Sequence, residues 1–227
     1  MMFNNLLETW LPNVKWDTLW EATMETLYMS VLAVAATFVL GIFLGLTLYL
    51  TDKGNLWQNK VIHAITAALV NVFRSIPFII LIILLIPFTT FLVGTMLGPS
   101  AALPALVIGA APFYARMVEI GLREVDKGVI EAAQSMGANQ WHIIFKVLLP
   151  ESMPALISGI TVTSIALVSY TAMAGVIGAG GLGDLAFREG FQRTNPDVTF
   201  VATIAILIIV FILQWIGDWI TNKLDKR

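Results

Sequence analysis

Five long apolar runs, at about 26–50, 61–86, 104–122, 155–178 and 198–219, dominate this 227-residue chain. A helix needs about 20 mostly apolar residues to cross the hydrocarbon core of a bilayer. In lipid the backbone polar groups must be satisfied within the segment, so such runs fold as helices. Composition supports this: 58% of residues are hydrophobic and 12% charged, against about 25% charged in an average soluble domain. The expected fold class is all-α, a polytopic membrane protein with five transmembrane helices. The first run closes on Thr51-Asp52-Lys53-Gly54-Asn55, the second ends before Pro87, and the fourth lies between Pro154 and the glycine cluster 178–183.

Several function classes fall on simple grounds. A net charge of -2 with no basic cluster argues against nucleic acid as a partner. With no cysteine there is no disulfide, thiolate nucleophile or Cys-ligated metal. His63 and His142 lie in different segments without H-E-x-x-H spacing, so no zinc-protease site is expected, nor any other metal site. No G-x-x-x-x-G-K-[ST] occurs, so ATP cannot be held here by a P-loop, and any nucleotide chemistry must reside on a partner. Residues 1–20 do not read as a cleavable signal: no basic residue precedes Lys15, Glu8 and Asp17 interrupt the segment, and Glu21 follows it directly.

Five spans place the termini on opposite faces, and the positive-inside rule chooses which. One face carries Lys15, Arg188 and Arg193. The other carries Lys53, Lys60, Arg116, Arg123, Lys127, Lys146, Lys223, Lys226 and Arg227. The N-terminus is therefore expected outside and the C-terminus in the cytoplasm, with 1–22 an outer segment and 222–227 a cytoplasmic tail. Trp10, Trp16 and Trp20 read as interfacial anchors of a surface helix. Gly41 and Gly45 form a G-x-x-x-G, which lets two helices approach closely.

The longest polar stretch, 116–152, lies between the third and fourth runs. Val129, Ile130, Ala133 and Met136 recur at helical spacing. Glu131 falls near the start of that helix, favourable for its dipole. Gly137 is a natural stop. Asn139 can cap a second short helix, which Pro150 would end. The expectation is a helix-turn-helix knob on the cytoplasmic side. Glu119, Glu124 and Asp126, interleaved with Arg116, Arg123 and Lys127, read as a solvated, ion-paired helix end.

Glu131-Ala132-Ala133, then Gly137, Val147, Leu149 and Pro150, match the spacing of the EAA loop, with Val147 where isoleucine is usual. The chain thereby resembles the membrane subunits of ABC-type importers. Val72-Phe73-Arg74-Ser75-Ile76-Pro77-Phe78-Ile79, the stretch 109–119, and Ser169-Tyr170-Thr171-Ala172-Met173 are similar to the methionine-uptake permeases among them, over about residues 23–221. The resemblance implies that Glu131, Ala132, Ala133, Gly137, Ala138, Val147, Leu149 and Pro150 form a coupling helix docking on an ATPase. It also implies a homodimeric permease for D- and L-methionine, working with two ATPase subunits and an external binding lipoprotein. No cofactor is expected on this chain, ATP being held by the ATPase, and no catalytic residue. A same-type permease for another small solute is the nearest alternative. A membrane-embedded enzyme is the alternative from another class, and the spans offer it only Arg74 and scattered hydroxyls.

Three features inside the spans bear on a pathway. Arg74 would sit about 20 Å into the second span, where a charge costs at least about 2.5–3.5 kcal/mol and must face protein or water. It either lines the pathway or ties its helix to backbone carbonyls or Glu119. Tyr170 and Met173 lie one turn apart on the fourth span, where a soft methionine can fill and leave a constriction cheaply. The resemblance places that methionine near the gate between subunits. Gly178-x-Gly180-x-x-Gly183 fits the dinucleotide fingerprint, but it follows a span rather than a strand and reads as an outer turn.

Overall fold

The structure is a computed structural model that describes residues 10–224, and no strand occurs among them. The helices are α1 (Trp16–Thr51), α2 (Lys60–Ser75), α3 (Phe78–Leu84), α4 (Ile86–Val93), α5 (Pro99–Arg123), α6 (Lys127–Ser135), α7 (Gln140–Ile143), α8 (Leu149–Ala174), α9 (Gly181–Asp184) and α10 (Pro196–Leu224). Wider π-helical turns occupy Ile144–Leu148, Gly175–Ala179 and Leu185–Phe191. Among the described residues, four helical runs are long and apolar enough to cross a membrane: Trp16–Thr51, Pro99–Arg123, Gln140–Ala179 and Pro196–Leu224. A fifth exists if α2 and α3 count as one broken span.

That break departs from the continuous second span expected at 61–86. α2 and α3 are bent by 106°. Ile76, at φ -83° and ψ 123°, leaves the helix before Pro77, because the proline ring disfavours the helical region for its predecessor. The residues on both sides are apolar, so hydropathy runs through the bend unbroken. Gly94, at φ 84°, closes α4.

Other boundaries move for local reasons. α1 begins at Trp16, ten residues before the apolar run, with Asp17 in its first turn where a negative charge suits the dipole. α5 begins at Pro99 rather than 104, proline being well tolerated in a first turn. Pro150 does not end a helix, and Pro154 lies inside α8. A proline ring collides with the carbonyl four residues back, and for Pro150 that residue, Lys146, lies in the widened turn Ile144–Leu148.

The chain packs as two compact units. One comprises Met1–Val34, Pro77–Val107 and Ser164–Leu213, the other Ala35–Ile76, Ile108–Thr163 and Gln214–Arg227. The first is built on Ala22, Val168, Leu182, Leu185, Val198, Ala202 and Ile209. The second is built on Tyr49, Leu50, Tyr114, Val118, Leu122, Val125, Ile144, Leu148 and Leu156. There Gly41 and Gly45 let α1 lie against Tyr114 and Val118 of α5, and a side chain at either glycine would collide with them. Tyr114 is wholly buried, donates its hydroxyl to the Leu156 carbonyl at 3.2 Å and stacks on Phe38. Phe43, Ile65, Phe91, Phe211 and Trp215 project outward, as side chains bathed in lipid do.

Candidate functional site

The polar loop expected to be a helix-turn-helix is built from α6, a glycine turn and α7. Asp126 caps α6, its carboxylate accepting from the Gly128 N–H at 2.7 Å. Glu131 is the fifth of nine residues in α6. It therefore sits mid-helix and not near the start, and the dipole is served by Asp126. Gly137 takes φ 80° and donates to the Gln134 carbonyl at 2.9 Å, while Ala138 N–H reaches the Ala133 carbonyl at 3.1 Å. These bonds satisfy carbonyls that a helix end leaves open. Asn139 caps α7, accepting from His142 N–H at 2.8 Å.

The face of α6 divides differently from its periodicity. Ile130 packs against the buried cluster of its unit, and Ala133 is buried. Val129 and Met136, expected on the same stripe, are exposed, Met136 by 82%. Glu131, Ala132 and Gly137 are exposed with them. Ala138, Val147 and Leu149 are half-buried, and Leu149 packs on the core beside Leu148. Pro150 is exposed in the first turn of α8. Glu131 also borders a polar hollow with Lys127, Gln134, Gln140, Asn55 and Tyr49.

Arg74 stands exposed in the last turn of α2, where a cation complements the helix dipole. It does not tie to Glu119. That carboxylate is 2% exposed and is held by Arg116 and by Arg123, the latter at 2.8 Å. The helix end expected to be solvated thus contains a buried, doubly paired glutamate.

In the first unit, Tyr170 and Met173 lie one turn apart on α8. Tyr170 is half-buried under Phe78, the first residue of α3, with ring centroids 4.4 Å apart and planes within 4°. Met173 is 44% exposed. Ser169 on α8 and Val176 in the π-helical turn that follows are exposed with it, at steps of four and three residues that keep one face of a helix. Beyond Gly175 the chain folds back. Gly178, Gly180 and Gly181 all have positive φ, and Gly183 lies on the Ala172 backbone too closely for any side chain. The dinucleotide-like spacing is thus turn chemistry.

Two residues on α1, outside the sequence-predicted set, hold that fold-back. Glu25 accepts from Gly181 N–H at 2.6 Å, and Thr26 Oγ1 accepts from Leu182 N–H at 2.9 Å. Glu25 ends the polar segment before the first apolar run, and an acid in that place was its only signal. Nearby, Asp184 faces Arg188 at 3.5 Å, yet its Oδ1 has no hydrogen-bond partner among the described residues. Burial pushes its carboxyl above the usual range, with Glu189 adding to the effect against Arg188.

The fold and these features define a class: an all-helical, multi-pass membrane protein. The chain belongs to the family of binding-protein-dependent transport system inner membrane components, which matches residues 37–227. Among its relatives, the methionine import system permease protein MetP of Bacillus subtilis is 68% identical over 98% of this chain and all of that protein. The probable D-methionine transport system permease protein MetI of Vibrio cholerae is 45% identical over the full length of both. A chain from a structure of the MetNI methionine ABC transporter in inward-facing conformations superposes with a TM-score of 0.90 at 41% identity, over 94% of this chain and all of that one.

Proposed function

We propose that this chain is the permease subunit of an ATP-driven importer and forms the translocation pathway for D- and L-methionine. The observation that carries this is the 68% identity to a methionine import permease along essentially the whole of both chains. Residues 23–221 make up the permease domain, with the N-terminus outside the cell membrane and the C-terminus in the cytoplasm. The Lys/Arg asymmetry between loops supports that orientation.

The outward surface of α6 and its turn, centred on Glu131, Ala132 and Gly137, docks on an ABC ATPase, and Ala133, Ala138, Val147, Leu149 and Pro150 hold that surface in shape. Two ATPase subunits serve a dimer of this chain. The exposed face formed by Ser169 and Met173 of α8 and Val176 of the turn after it supports a second copy across a pathway. Tyr170 and Met173 line it, and Arg74 serves it at the end of α2. A methionine-binding lipoprotein delivers substrate from outside. ATP is bound and hydrolysed by the partner, because this chain lacks the P-loop sequence, and we assign it no cofactor of its own.

The test is uptake of labelled methionine in cells lacking this chain and any second methionine system. High-affinity uptake of both enantiomers should disappear while glutamine uptake continues. Unchanged methionine uptake would transfer the chain to another small solute.

A further inference from the structure

The turn between α1 and α2, residues 52–59, touches the polar loop at both of its ends. At the entrance, Asp52 Oδ2 pairs with Arg123 Nη2 at 2.8 Å, and the same guanidinium holds the buried Glu119. Asp52 is itself fixed: its Oδ1 accepts from Lys53 N–H at 2.7 Å and lies 3.9 Å from His63 Nε2. The Lys53 N–H and then Arg123 hold its carboxyl below the usual range. At the exit, Trp57 Nε1 donates to Gln140 Oε1 at 2.9 Å, and Gln140 Nε2 donates to the Leu56 carbonyl at 3.4 Å. The Trp57 ring meets Trp141 edge to face at 5.2 Å, and Trp141 stacks on Phe145. The turn is pinned to α1 by Trp57 N–H to the Leu50 carbonyl at 2.9 Å and Asn59 N–H to Thr51 at 3.0 Å.

A loop that transmits force must not yield at its hinges. α6 joins α5 through three residues and leads to α8 through α7 and a π-helical turn. Without a brace, a pull on α6 would be absorbed there. We propose that Asp52 and Trp57 are positioning residues that clamp Arg123 and Gln140, so that displacement of α6 reaches the ends of α1 and α2 together with α5 and α8. Neither residue lies on the docking surface assigned to α6. This inference rests on the reading that α6 docks an ATPase.

The complete transporter, reconstituted in liposomes, supplies the test as methionine moved per ATP hydrolysed. In Asp52→Asn combined with Trp57→Phe, the ATPase subunit should stay bound and hydrolysis should continue. The ratio should fall about fivefold or more, the scale at which residues in a coupling network act. The chain has no cysteine of its own, so Trp57→Cys with Gln140→Cys can be bridged by a short bis-maleimide. The unbridged pair should be uncoupled and the bridged pair restored, a rescue that a merely destabilised fold would not show. An unchanged ratio in the first variant, or no recovery on bridging, would overturn the clamp. Loss of the ATPase from either variant would overturn it too, because the turn would then be a docking surface. A wild-type chain that retains no ATPase would be a different failure, removing the proposed function on which the clamp rests.

Discussion

The ring of Phe78 lies flat on that of Tyr170, 4.4 Å between centroids, joining the first residue after the Pro77 break to the C-terminal part of α8. A stacked aromatic pair contributes about 0.5–1.5 kcal/mol beyond its area, enough to shift a two-state equilibrium by up to about tenfold. If α8 lines the pathway, this stack sets how α3 follows it. Phe78→Ala should lower methionine uptake several-fold at normal expression, whereas Phe78→Tyr, which keeps a ring, should transport like the parent. Equal uptake by both variants would remove the stack from the transport cycle.

Glu25 gives a second expectation. Its carboxylate reaches across from α1 to the Gly181 N–H where the chain folds back. Glu25→Ala leaves that donor without its partner, at a cost of about 1–3 kcal/mol. The melting temperature in detergent should fall, and less so for Glu25→Gln, which keeps an acceptor oxygen. An unshifted melting temperature for Glu25→Ala would mean that the fold-back stands without it.

Much of this fold was legible in advance because membrane helices announce themselves by length and hydropathy. The break at Ile76-Pro77 was hidden, since apolar residues continue across it and a single proline is compatible with a kinked span. Pro150 and Pro154 misled in the opposite direction: a widened π-helical turn lies where the Pro150 ring meets the preceding turn, and the helix also continues through Pro154. On the polar loop the capping residues Asp126 and Asn139 act locally and are readable. The inward turn of Ala133 and the exposure of Met136 depend on what α6 packs against. The contacts of Asp52 with Arg123, Trp57 with Gln140, Glu25 with Gly181 and Phe78 with Tyr170 join residues tens of positions apart, and spacing along the chain carries no trace of them.

Asp184 sets a pH dependence. Its carboxyl is raised above the ordinary value by burial. A carboxyl raised in the folded state binds its proton more tightly there than in the unfolded chain. The cost of its ionisation is therefore absent below the unfolded pKa and fully present above the folded one. Asp184→Asn should melt higher than the parent at neutral pH, with the difference shrinking as pH falls into the acid range. A gain that persists unchanged in acid would assign the effect to something other than this charge.

In the proposed function, the loop carrying Glu131 and Gly137 drives import by holding an ATPase. At Gly137, φ is 80° and nothing lies within 4 Å of an added Cβ. A branched side chain there is strained by its backbone alone, by about 1–2 kcal/mol, and collides with nothing in the spans. Glu131 is exposed mid-helix, so reversing its charge alters the surface and leaves the core. The direct measurement is co-purification of the ATPase with Gly137→Val and Glu131→Lys, paired with ATP-dependent methionine uptake by the same preparations. The expected outcome is inserted, dimeric permease that retains less ATPase and transports little. Full ATPase retention with normal uptake in both variants would contradict it.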